Sequence, residues 1–178
     1  MGFMNETLAA QLYRDARIAP IYEGTNGIQA IDLVGRKLAM AEGRAMGDMV
    51  EEVRETARAA RETNDPQLVQ IADRLVAAAD ALDEATGWMK TAMKEDREKG
   101  LAGATAYLEL AGDVIGGHFL AKGALSARAD NSSLRGRMTA LAGFFAETSL
   151  AEAPGRVSGI TRGGDSFLAE SEALFGLA

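Results

Sequence analysis

Apolar residues recur at spacings of three and four almost from one end of the chain to the other, and nowhere is a strict alternation of two sustained. That period lines one stripe of a helix with apolar side chains, so the expected fold class is all-α, an antiparallel helical bundle preceded by a helix-loop-helix. The most regular run is Leu68, Ile71, Leu75, Ala79, Leu82, Thr86, Met89 and Met93, a near-heptad seam suited to a helix packed almost antiparallel to its neighbours. Asn64-Asp65-Pro66 announces it: Asp65 can cap free amides, and Pro66 at the first helical position loses no hydrogen bond.

The same reading divides the rest. A helix is expected over 5–18, with Asn5 as its N-cap and Leu8, Leu12 and Tyr13 on one face, stopped by Pro20. A second runs from Gly27 to about Gly47 through Ile28, Ile31, Val34, Leu38, Ala41 and Ala45. The stretch 48–63 is the most charged helix, its thin stripe formed by Met49, Val50, Val53, Ala57 and Ala60, with Glu51–Arg54 and Glu55–Arg58 pairs on the solvated side. Lys94 to Gly100 reads as a turn, 101–129 as a long helix containing Gly103, Gly112, Gly116, Gly117 and Gly123, and Ser132 or Ser133 as the cap of a helix carrying Leu134, Met138, Leu141, Ala142, Phe145 and Ser149. Interior glycines cost about 1 kcal/mol each relative to alanine, so some are expected to admit a closely packed neighbour. Pro154 to Gly164 reads as a loop, and Asp165 or Ser166 as the cap of a short final helix bearing Phe167, Leu168, Leu174 and Phe175. A boundary is expected near 43–48, separating residues 1–45 from a four-helix, bundle-like unit over 46–178.

Composition removes several function classes. The 178 residues carry 26 acidic and 19 basic side chains, a formal net charge of −7, which gives nucleic-acid binding no broad electrostatic footprint. With no cysteine and one histidine, His118, neither a disulfide framework nor a thiolate or histidine-rich metal site can be assembled, so no metal is expected. No basic segment followed by an apolar run opens the chain, and the longest apolar-looking stretch, 101–127, is interrupted by Glu109, Asp113, His118 and Lys122. A soluble, cytoplasmic chain without a membrane span is the expectation. A bundle lying on a membrane surface is disfavoured by the acidity and the lack of a Lys/Arg-rich amphipathic face.

One break in the helical pattern has the makings of a site. Ile21-Tyr22-Glu23-Gly24-Thr25-Asn26-Gly27 places a carboxylate beside a tyrosine and two glycines, immediately ahead of a helix start. Glycines let a ligand approach the backbone, and the amides of the following helix, capped by Thr25 or Asn26, favour an anionic or carbonyl group. A glutamate partly desolvated there has its pKa raised toward that of a general base; the alternative is a loop carboxylate near a helix dipole.

Tyr13-Arg14-Asp15-Ala16-Arg17-Ile18 followed by Ile21-Tyr22-Glu23-Gly24-Thr25-Asn26-Gly27-Ile28-Gln29 closely resembles the signature near the carboxyl end of the flavin-dependent acyl-CoA dehydrogenases. The likeness is dense over residues 1–38. Beyond about 45, including Tyr107 to Gly117, the chain more weakly resembles the extra helical domain of larger bacterial members. The resemblance implies that the full enzyme oxidises an acyl-CoA to a 2,3-enoyl-CoA. Glu23 would be the catalytic base, Gly24 the substrate-contacting position, and Thr25, Asn26, Gly27 and more loosely Gln29 the positions touching FAD. It further implies an acyl-CoA substrate, a homo-oligomer and an electron-transfer flavoprotein or similar acceptor. Arg14 and Asp15 also match and read as structural. Relatives carry further domains ahead of this signature, so the chain reads as the terminal piece of a larger enzyme. The competing class is a non-catalytic helical dimerisation or docking module.

Weaker candidates remain. His118 beside Phe119 suits a core or interface histidine, Glu109 and Asp113 lack the Glu-x-x-His partner of a di-iron bundle, and Met89 and Met93 fill the seam. The glycines and two arginines of 156–164 could meet phosphate, but a flexible loop explains that stretch equally well.

Overall fold

The computed structural model describes residues 8–18, 26–129, 133–170 and 176; all regular structure among them is helical. Helix α1, Ala9–Arg17, exposes Leu8, Leu12, Tyr13 and Ile18. The expected cap, Asn5, lies outside the described residues. Helix α2, Asn26–Gly35, stops well short of Gly47. A 3-10 segment, Lys37–Gly43, follows, in which Met40 is extended and Ala41, Glu42 and Gly43 take positive φ of 51°, 59° and 80°. Two left-handed non-glycine residues cost roughly 1–3 kcal/mol each. The reversal nevertheless drives Leu38 into the core and gives the Gly43 carbonyl the Lys90 ammonium as donor, gains that a continued helix would forgo.

Helix α3, Ala45–Glu62, buries Val50, Val53, Thr56, Ala57 and Ala60, while Met49 is half-buried. In the turn after it, Thr63 Oγ1 donates to the Ala60 carbonyl at 2.6 Å, and Asn64 takes a φ of 54°. Helix α4, Pro66–Glu95, begins where the sequence says it should, with Asp65 accepting from the Gln67 amide at 3.1 Å. Its seam from Leu68 to Met89 is buried throughout. Arg54 of α3 reaches Asp80 and Asp83 of α4, while Arg61 reaches Asp73, so the two helices run antiparallel.

The expected turn after Lys94 is instead a short helix, α5, Arg97–Ala102, because Asp96 accepts from the Lys99 amide and Gly100 lets its backbone settle against Met93. Helix α6, Ala104–Ser126, continues as a 3-10 turn, Ala127–Ala129. A Cβ on Gly103 would stand 2.6 Å from the Ile160 carbonyl oxygen, and one on Gly117 2.7 Å from Leu150 Cδ1. Those glycines permit close helix approach; as the α6 number rises, that of its partner falls, so the two run antiparallel. Gly112 has nothing within 4 Å.

The largest departure from expectation is at Pro154. Helix α7, Ser133–Phe145, passes into a π-helical segment, Ala146–Leu150, and then into α8, Ala151–Ala169, with Pro154 inside it. A proline lacks the amide and crowds the carbonyl four residues back; a widened π turn just ahead relieves both. Burial of Ala153, Val157 and Ile160 then makes helix preferable to the loop. α8 also runs straight through Asp165 and Ser166, so no new helix starts there, and Leu174 and Phe175 lie outside the described residues.

Helix α4 packs against α3, α6, α7 and α8. Ala30, Val34 and Leu38, from α2 and the segment after it, join the same buried cluster as the bundle, with α2 lying on α6.

Candidate functional site

Glu23, Gly24 and Thr25 lie outside the described residues; the described part of the predicted site is the head of α2. Asn26 is the first residue of that helix, and Gly27 and Gln29 follow, both half-buried. The next residue, Ala30, is wholly buried. A ligand at this helix start would meet the donors that intrahelical bonding cannot use, with a backbone held rigidly from Ala30 onward. Amide donors beside a glycine suit an anionic or carbonyl group. Arg14 and Asp15 are exposed on α1.

His118 is a core residue, 1% exposed, with neither ring nitrogen hydrogen-bonded. Its Nε2 stands 4.0 Å from Glu52 Oε2 across the α3–α6 contact, and its ring meets Phe119 edge-on at 5.0 Å. Burial pushes its pKa below the ordinary histidine value; Lys122 adds to the shift and Glu52 opposes it.

Asp113 is occupied by Arg156 at 2.8 Å, and Arg156 also reaches Glu152. The arginine expected on a loop is thus a helical residue tying α8 to α6. Among the described residues no cluster of three or more His, Cys, Asp or Glu side chains can hold a metal, and no helix is long and apolar enough to cross a membrane.

Sequence reading missed a cavity of about 460 Å³ where the end of α2 meets α4 and α5. Val34, Leu38 and Met93 form its apolar part, and Lys90, Lys94 and Arg97 bring three cations to it. The available signal was three cations spaced by four and three in an otherwise acidic chain, although Asp96 breaks the helix and places Arg97 on α5 rather than α4.

The geometry defines a helical bundle whose buried core takes in Ala30 and Val34 of α2, the helix that follows the Glu23 segment in the sequence. Residues 49–170 match the family described as "Acetyl-CoA dehydrogenase C-terminal like", and residues 1–39 match "Acyl-CoA dehydrogenase, C-terminal domain". The chain belongs to the acyl-CoA dehydrogenase family. It is 37% identical over 177 residues to the 3-methylmercaptopropionyl-CoA dehydrogenase of Ruegeria pomeroyi, an alignment covering 96% of this chain and 30% of that protein. It is also 42% identical over 52 residues to a butyryl-CoA dehydrogenase of Syntrophomonas wolfei, covering 29% of this chain and 8% of that one. The chain therefore spans less than a third of the length of these curated relatives.

Proposed function

We propose that the chain serves as the carboxyl-terminal part of an FAD-dependent acyl-CoA dehydrogenase, with Glu23 as the base that removes the α-proton of an acyl-CoA thioester. The observation that carries this reading is the juxtaposition of the two family matches with the Tyr22-Glu23-Gly24-Thr25-Asn26-Gly27 segment at the head of α2. FAD, when bound, supplies the acceptor for the hydride that leaves the β-carbon. The Glu23 carboxylate takes the α-proton onto one of its oxygens, and the Gly24 amide donates to the thioester carbonyl, whose polarisation makes that proton acidic. Thr25, Asn26, Gly27 and Gln29 hold the cofactor's polar groups.

The exposed apolar residues Leu12 and Tyr13 on α1, and Ile28 and Ile31 on α2, support a setting in which further protein covers these helices. The whole enzyme works as a homo-oligomer in the cytoplasm and passes electrons to an electron-transfer flavoprotein or similar acceptor. Residues 1–45 belong to its catalytic core and 46–178 to an appended bundle.

The test is reconstitution with the flavin- and substrate-binding domains of the same enzyme. The assembly should bind FAD and oxidise acyl-CoA, and Glu23→Gln should abolish α-proton exchange while flavin stays bound. Full activity in that variant removes Glu23 as the base. Failure of the assembly to take up flavin favours a docking module instead.

A further inference from the structure

The cavity between α2, α4 and α5 joins two kinds of surface. On one side are Val34 and Leu38, each 4% exposed, with Met93 beside them. On the other are Lys90, Lys94 and Arg97. Lys90 is committed to the Gly43 carbonyl. Lys94 and Arg97 have no ion pair or hydrogen bond among the described residues. That contrasts with the bundle's other arginines at helix contacts, where Arg54 holds Asp80 and Asp83, Arg61 holds Asp73, Arg74 holds Glu147 and Arg156 holds Asp113. The acid on the cavity wall, Glu42, faces Arg44 at 3.6 Å.

Gly35 contributes room. A Cβ there would lie 3.9 Å from Arg97 Nη2 and 4.0 Å from Met93 Cε, so the guanidinium and the thioether stand side by side over its bare backbone. Polar head contacts and apolar body contacts thus come within one side-chain width of each other. The volume is that of a small-molecule pocket, and its walls come from both family-matched segments, a junction where such pockets concentrate.

We propose that this cavity binds a small amphipathic anion, its carboxylate or phosphate head on Lys94 and Arg97 and its apolar body against Val34, Leu38 and Met93. The site lies within this chain and does not rest on the assigned base or on flavin binding. Because its walls belong to separate helices, the ligand favours the arrangement in which α2 sits against the end of α4.

The 178-residue chain is titrated with octanoate, octyl phosphate, octanol and acetate while its melting temperature is followed. Octanoate or octyl phosphate should raise it saturably at millimolar concentration, and octanol and acetate should not. The tighter of the two anions identifies the head group, carboxylate or phosphate ester, and either keeps the site. The double variant Lys94→Gln/Arg97→Gln changes two exposed side chains, so it should melt like the parent without ligand yet bind at least about tenfold more weakly. Equal protection by octanol, no saturable effect of either anion, or unchanged affinity in a folded double variant overturns the proposal.

Discussion

The hydroxyls of Thr86 and Tyr107 lie 2.8 Å apart in the core, and a second hydrogen bond fixes the direction of the first. Thr86 Oγ1 donates its proton to the Leu82 carbonyl at 2.6 Å, so the Tyr107 hydroxyl is the donor between α6 and α4. Both groups of a wholly apolar neighbourhood are thereby satisfied, and the pair specifies how the two longest helices register.

Removing the acceptor should cost more than removing the donor. Thr86→Val strands a buried phenol and should lower unfolding free energy by about 1–3 kcal/mol, whereas Tyr107→Phe should cost about 0.5–1.5 kcal/mol. The double variant should be less damaging than the sum of the singles, as urea unfolding of all four proteins would show. Additive losses would mean that the pair is not coupled.

The same tyrosine gives an alkaline signature. Burial raises the Tyr107 pKa to about 12, above the ordinary tyrosine value of about 10. The fold prefers the neutral phenol, so this contribution to stability is complete below about pH 10 and is lost as pH climbs toward 12, where only the unfolded chain has ionised. Tyr107→Phe should lose melting temperature less steeply across that window.

His118 acts at the other end of the scale. Its pKa is lowered in the fold, chiefly by burial, so the unfolded chain binds the proton first. The contribution is present above the ordinary histidine value and is lost as pH falls through and below it. Melting temperatures taken between about pH 7.5 and 5.5 should drop more for the parent than for His118→Phe. Parallel curves would show that the buried ring does not govern this range.

Two glycines, Gly112 inside α6 and Gly103 at its N-cap, should respond with opposite sign. Gly112→Ala, on an open face, should stabilise α6 by up to about 1 kcal/mol through helix propensity alone. Gly103→Ala would drive a methyl to 2.6 Å from a backbone oxygen and should cost about 1–3 kcal/mol as α8 is displaced. Chemical denaturation of the two variants side by side is sufficient.

The outward face of α1 should be indifferent. Leu12 and Tyr13 are each 66% exposed, so Leu12→Gln/Tyr13→Gln should leave the melting temperature of this chain unchanged within about a degree. A marked loss would show that α1 is part of the bundle core.

What was legible in the sequence was whatever local chemistry decides. Asp65 and Pro66 started α4 at the expected place because cap and proline act within one turn, and the 3.6 period exposed the seam from Leu68 to Met89. The errors came where distant partners decided. Ala41 sits at a helical spacing from Leu38, yet its backbone is left-handed, since the Lys90 ammonium, nearly fifty residues on, donates to the Gly43 carbonyl. Pro154 read as a loop because a π turn that excuses a proline leaves no mark in composition. The predicted site divides the same way: Glu23 and its neighbours stood out as a contiguous motif, whereas Lys94, Arg97 and Leu38 become one cavity only after the chain has folded back.

The burial of Ala30 ties the Glu23 segment to the stability of the bundle. Once the chain leaves the Glu23 segment, four residues of α2 carry it into the core that α4 and α6 share. Any opening of the bundle deep enough to free Ala30 and Val34 releases the downstream anchor of that segment as well. Heat resistance of helices far along the chain therefore sets a ceiling on the temperature at which the downstream end of that segment stays anchored, and sequence drift far from Glu23 can change that ceiling.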